Sequence, residues 1–161
     1  MTHSPTLSPP LLRPATRADA PFIADFNARL ADESEGLQLD HVRLRAGVEA
    51  VLADPTKGLY WVAEAEGVPV GQLMITWEWS DWRNGFFWWI QSVYVRSDWR
   101  GRGVFTSLYA FVREQAARRE DVCGIRLYVE NHNEGAKRSY ERLGLGRTAY
   151  DLYEVDLRKG G

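Results

Sequence analysis

The chain has 161 residues, 45% of them hydrophobic and 26% charged, which suits one soluble globular domain with a full core. Its 20 basic and 22 acidic residues give a net charge of -2, without the basic excess of a nucleic-acid binder. The single cysteine, Cys123, excludes an internal disulfide and points to a reducing compartment, and His3, His41 and His132 lack the spacing of metal ligands.

The opening "MTHSPTLSPPLLRP" has no charged n-region followed by an apolar run, so it does not read as a signal peptide. Residues 1–10 are expected to be a flexible tail and 11–161 a single domain. No apolar stretch approaches the ~18 residues of a membrane span, and a cytoplasmic location is expected. "LLRPAT" reads as a short strand. A helix follows from Arg17 to about Asp32, capped by Thr16, with Phe22, Ile23, Phe26 and Leu30 on one face. A second helix runs from about Asp40 to Leu52, and "DPTKG" ends it. "LYWVAEA" and "VPVGQLMITWEW" form a hairpin around Glu66-Gly67, and Asn84-Gly85 turns the chain into a third strand, "FFWWIQSVYV". Arg102 to about Arg119 reads as a helix with Val104, Leu108, Val112 and Ala116 four apart. "GIRLYV" is a strand, with Cys123 a small buried residue at its start. Asn131 is expected to cap a helix over about His132 to Leu143, ended by Gly144. "RTAYDLYEVDL" has the pattern of a closing strand. The order β-α-α-β-β-β-α-β-α-β implies an α+β fold with a mixed sheet and helices on its faces.

The stretch "SDWRGRGVFTSLY" sets Gly101 and Gly103 between a strand and a helix. It lacks the Lys-Ser/Thr of a P-loop and the third glycine of a dinucleotide fingerprint. A helix N-terminus still offers unpaired N–H groups and a positive dipole end, and glycine allows close backbone approach. The N–H groups of Arg102, Gly103, Val104, Phe105 and Thr106 are therefore candidates to cradle a pyrophosphate; a plain turn with a helix start is the alternative.

About thirty residues on, "LYVENHNEGAKRSYERLGL" carries Asn133, Ala136, Tyr140 and Gly144-Leu145 on a capped helix. Together the two segments resemble the GNAT superfamily of acyl-CoA-dependent N-acyltransferases. The first signature, [Q/R]-x-x-G-x-[G/A] after a strand ending Val-x-Val, corresponds to "VYV" and then Arg100 to Phe105. Its last position is usually Gly or Ala and here is Phe105. The second signature is the Asn…Ala…Tyr…Gly helix. The resemblance covers about residues 11 to 157.

It implies the GNAT fold, a mostly antiparallel sheet with a central parallel strand pair that splays apart. Acetyl-CoA would lie in that opening as co-substrate, with no metal. Val93 and Val95 would pair with the pantetheine arm. Arg100 and the turn from Arg102 to Thr106 would hold the pyrophosphate. Asn133 would bond the cofactor or cap its helix. A strand N–H would polarise the thioester carbonyl. Tyr140 matches the usual general acid, and a core aromatic is its bland alternative. The strand position that often carries an acid holds Gln91 and Ser92, so Glu78 is the preferred base, ahead of Glu130 and Glu154. Five tryptophans between Trp77 and Trp89, together with Glu78, Asp81 and the acidic "ADESEG" at 31–36, suggest a cationic, polyamine-like amine as acceptor. No nucleic-acid or membrane partner is expected; a homodimer through exposed aromatics is one option. The alternatives are a non-catalytic acyl-CoA sensor on the same fold and an acetyltransferase acting on protein N-termini or lysines.

Overall fold

The structure, a computed structural model, describes residues 8–158; most of the tail expected at 1–10 lies outside them, as do 159–161. The described residues form two compact units, one ending at Tyr128 and one beginning at Val129.

In the first unit, β1 (Leu11–Pro14), β2 (Leu59–Ala65), β3 (Val68–Ser80), β4 (Gly85–Val95) and β5 (Val122–Leu127) make one sheet in chain order. The first three pairings are antiparallel and β4–β5 is parallel. Both hairpin turns fall where their residues require. Glu66, Gly67 and Asn84 take left-handed φ of 53°, 76° and 47°, which matches the twist of the flanking strands. A parallel pair needs a crossover, and α3 (Val104–Ala117) supplies it. The expected mixed sheet is therefore present.

Two helices, α1 (Ala20–Glu35) and α2 (His41–Ala53), cover one face of the sheet. Ala20, Ile23 and Val48 pack there against Tyr60 of β2 and Met74 of β3. The opposite face belongs to α3, whose Phe111 meets Trp61 edge-to-face at 4.6 Å between ring centroids. Tyr60 and Trp61 are neighbours on one strand, so they point to opposite faces. By the same alternation Leu73 and Ile75 lie under α3, where Leu108 and Val112 are also fully buried.

The first helix starts later than its sequence suggests. Arg17–Asp19 is a 3-10 turn, and α1 begins at Ala20. The reason is Asp19, whose buried carboxylate accepts from Arg13 at 2.8 and 2.9 Å and from the Thr16 N–H at 2.6 Å. The Arg13 guanidinium holds that carboxyl below its usual range, against the opposing effect of burial. Arg13 also binds Glu64 at 2.7 Å, which ties the edge strand β1 to β2.

The second unit contains α4 (Glu134–Arg142). Asn131 is not its cap: Asn133 is, with Oδ1 accepting from the Ala136 N–H at 3.1 Å, while Asn131 contributes only a carbonyl to Lys137. Gly144, at φ 90°, ends the helix as expected. The closing strand expected at "RTAYDLYEVDL" does not form among the described residues. Tyr150, Tyr153 and Leu157 are exposed there. Apolar alternation makes a strand only where a ladder takes up its N–H and C=O groups, and this segment joins none.

Candidate active site

β4 outruns its parallel partner β5. The β4–β5 ladder runs from Phe86–Val122 to Ile90–Leu127 and stops, whereas β4 continues to Val95. Val93 and Val95 both lie on this extension. On the other side of β4 the register jumps. Tyr94 faces Gln72 and Gln91 faces Met74, so Leu73 alone faces Ser92 and Val93. This is a β-bulge, and it leaves a residue outside the ladder. Ser92 sits there at φ 51°, a left-handed conformation costing a non-glycine residue about 1–2 kcal/mol. The sequence holds no signal for it, because left-handed bulges are ordinarily marked by glycine and this one carries serine.

After β4, a 3-10 turn at Ser97–Trp99 leads into the glycine segment. Gly101 and Gly103 take φ of 74° and 78°, and no atom lies within 4 Å of a Cβ built on either. Glycine is required here by backbone conformation, not by space. Because both glycines are left-handed, α3 starts at Val104, two residues after the expected Arg102. No side chain caps it, and its first backbone bond runs from the Ser107 N–H to the Gly103 carbonyl at 3.0 Å. The positive end of the helix dipole thus opens at the turn, with the first-turn N–H groups ahead of that bond. Gly71, isolated within β3, brings this helix end onto the sheet: a Cβ there would lie 2.8 Å from Val104 Cγ1. The signal for it was the lone glycine in a strand pattern.

Residues 23–145 match the acetyltransferase (GNAT) family. The chain belongs to that family. A possible acetyltransferase from Clostridium difficile 630 is 42% identical, with a TM-score of 0.87, covering 94% of this chain and 99% of the other. At 18% identity and TM-scores of 0.74, two further crystal structures share the fold. One is a predicted acetyltransferase with acetyl-CoA from Clostridium acetobutylicum, covering 91% of this chain and 96% of that one. The other is a ribosomal-protein-alanine N-acetyltransferase from Brucella melitensis biovar Abortus 2308, covering 92% and 99%. No curated protein sequence matches the chain. Family membership makes the chain a GNAT acetyltransferase, and the mixed sheet with its single parallel pair is the family's fold.

Against that family pattern, the arginines of the turn have defined places. Arg100 is turned back on the strand: Nε donates to the Val95 carbonyl at 3.0 Å and Nη2 to Glu33 at 2.5 Å. Tyr94 donates to the same Glu33 at 3.1 Å. Arg100 holds the Glu33 carboxyl below its usual range, and burial raises the Tyr94 phenol. Arg102 lies over the Trp99 ring at 4.8 Å. The Phe105 ring runs along the helix beside Tyr109, with centroids 6.2 Å apart.

Partners across a ladder share a face, so Thr76, Glu78, Phe87, Trp89, Gln91 and Arg126 all lie on the α1 side of the sheet. Gln91 Nε2 donates to Thr76 Oγ1 at 2.6 Å, which leaves its second N–H and its carbonyl to a ligand. Glu78 is ion-paired to Arg126 at 2.8 Å, and Arg126 lies 3.6 Å from the Phe87 centroid. Glu78 stands level with Phe87, three residues before the ladder ends at Ile90. That is about 10 Å along a strand. Trp89 stacks on Tyr128 at 4.5 Å, while Trp82 at the hairpin tip is exposed. Within "ADESEG", Asp32 accepts from Gln38 and Glu33 is engaged by Arg100 and Tyr94. In the second unit, Asn133 is occupied as the cap of α4, and burial raises the Tyr140 phenol. Among the described residues, no cluster of three or more His, Cys, Asp or Glu could hold a metal, and no helix is long and apolar enough to cross a membrane.

Proposed function

We propose that this chain, acting as one domain over residues 11–161, transfers the acetyl group of acetyl-CoA to the primary amine of a small acceptor. The observation that carries the reading is the stretch of β4 beyond the end of β5, followed by an α3 N-terminus without a side-chain cap behind two left-handed glycines. That pairing offers an extended edge at Val93 and Val95 for the amide-bearing pantetheine arm. It also sets a dipole end at Gly103, Val104, Phe105 and Thr106 for the pyrophosphate. Arg102 adds charge beside the turn. Arg100 shapes the turn through Val95, or swings from Glu33 to a phosphate when one is bound. A family match running from residue 23 to residue 145 supports treating both units as one functional domain.

In the reaction, the amine nitrogen attacks the thioester carbonyl, the C–N bond forms and the C–S bond breaks. A backbone N–H at the bulge stabilises the charge on the carbonyl oxygen. By resemblance to the family, Tyr140 gives its proton to the departing thiolate; its phenol, raised by burial, is protonated at neutral pH. The amine also loses its own proton. Glu78, about 10 Å along the strand from the end of the β4–β5 ladder, takes it through a water relay. Asp32, Glu33 and Glu78 are each already engaged, by Gln38, by Arg100 and Tyr94, and by Arg126, so a cationic polyamine would have to displace one of these partners.

Calorimetric titration with acetyl-CoA tests the cofactor reading, with ATP and NAD as controls. Selective binding of acetyl-CoA is expected, followed by CoA release on an amine panel. Absence of acetyl-CoA binding would refute it.

A further inference from the structure

Asn27 of α1, Tyr60 of β2, Gln72 of β3 and the Ser92 backbone of β4 are joined in one network of hydrogen bonds. Gln72 is 0% exposed, and its Nε2 donates both to Asn27 Oδ1 at 2.9 Å and to the Ser92 carbonyl at 3.2 Å. Asn27 Nδ2 donates to the Tyr60 phenol at 3.1 Å. Ser92 is therefore tied to this network through its carbonyl. It is also the strained residue of the bulge, at φ 51°. A residue in that conformation persists only where its surroundings over-determine it.

This network is not arranged for stability alone. Gln72 Oε1 is buried with no partner among the described residues. A buried acceptor left unpaired is costly, and an apolar residue of the same shape would avoid that cost. Gln72 Nε2 cannot be exchanged for the oxygen, because the Ser92 carbonyl only accepts.

We propose that Gln72 is a positioning residue for acyl transfer: it locks the Ser92 bulge so that a strand N–H at Ser92–Val93 stays aimed at the thioester carbonyl. The inference rests on the acyl-CoA reading above. Gln72 acts through Ser92, and Asn27, itself held by Tyr60, holds Gln72 in place.

The test compares wild type with Gln72→Met by calorimetric titration against acetyl-CoA and, separately, against CoA, which lacks the carbonyl. Amide hydrogen exchange over residues 91–95 is followed in both proteins. Gln72→Met should bind CoA nearly as wild type does and acetyl-CoA about fivefold more weakly, the worth of one neutral hydrogen bond. Its Ser92 and Val93 amides should exchange faster. Unchanged acetyl-CoA affinity overturns the proposal, and so does an equal loss for both ligands, which would report general disruption. If Gln72→Met does not fold, Tyr60→Phe removes only the phenol oxygen and should shift the same ratio in the same direction, by less; an unchanged ratio there also overturns it. Wild type binding neither ligand would instead refute the acyl-CoA reading, and this inference with it.

Discussion

Adding one methyl group at position 71 should loosen the cofactor cradle from behind. The Cβ of Gly71→Ala would stand 2.8 Å from Val104 Cγ1 and 3.3 Å from the Tyr94 carbonyl oxygen. Carbon atoms rest at about 3.5–4.0 Å, so Val104 must retreat by roughly 1 Å. It cannot swing aside, because a β-branched side chain in a helix has essentially one χ1 rotamer and Val104 is 2% exposed. The N-terminus of α3 must move instead. Overpacking of this kind costs about 1–3 kcal/mol, and a chain of this size loses about 2–4 °C per kcal/mol, so the melting temperature should fall by about 2–12 °C. Hydrogen bonds to a phosphate stretched by roughly 1 Å leave the bonding range, and losing one charge-assisted bond weakens acetyl-CoA binding about tenfold or more. Gly47→Ala is the reference. Gly47 is exposed in the middle of α2 with nothing within 4 Å of its Cβ. That variant should gain about 0.5–1 kcal/mol from helix propensity and bind acetyl-CoA normally. Thermal melting by circular dichroism and calorimetric titration read both quantities. A Gly71→Ala protein with wild-type melting and wild-type affinity would refute the account of how α3 is seated.

Gly103→Ala should cost about 1–2 kcal/mol from left-handed backbone alone, since space is available, and should weaken acetyl-CoA binding more than it lowers the melting point; the paired melting and titration data decide it. Tyr140→Phe should depress acetyl transfer while leaving acetyl-CoA affinity intact. Because the phenol is raised above 10, the wild-type alkaline loss of turnover due to this group should appear only above pH 10, as a pH–rate profile will show. Arg13 holds the Asp19 carboxyl below its unfolded value of 3.8, so its stabilisation is present above 3.8 and is lost as pH falls from there through the lower folded value. Asp19→Asn should therefore lose about 1.5–3 kcal/mol at pH 7, and the gap to wild type should shrink near pH 3, measured as urea midpoints.

Much of this protein was legible in its residues alone. Alternating apolar residues, Asn84-Gly85 and the four-residue spacing of Val104, Leu108 and Val112 are local statements about φ, ψ and which face is buried, and they imply the meander, the crossover and the mixed sheet. Gly101 and Gly103 announced the turn for the same reason, since only glycine takes such conformations without cost. Boundaries shifted where a side chain found a partner outside its own helix, as Asp19 did with Arg13. Tertiary structure alone decided the bulge at Ser92, the linked Tyr60, Asn27 and Gln72 that hold its carbonyl, and the tie between Arg100 and Glu33, which stand 67 residues apart. Those contacts join elements that meet only once the sheet has formed, and a serine, a glutamine or an arginine carries no local mark of the partner it will find.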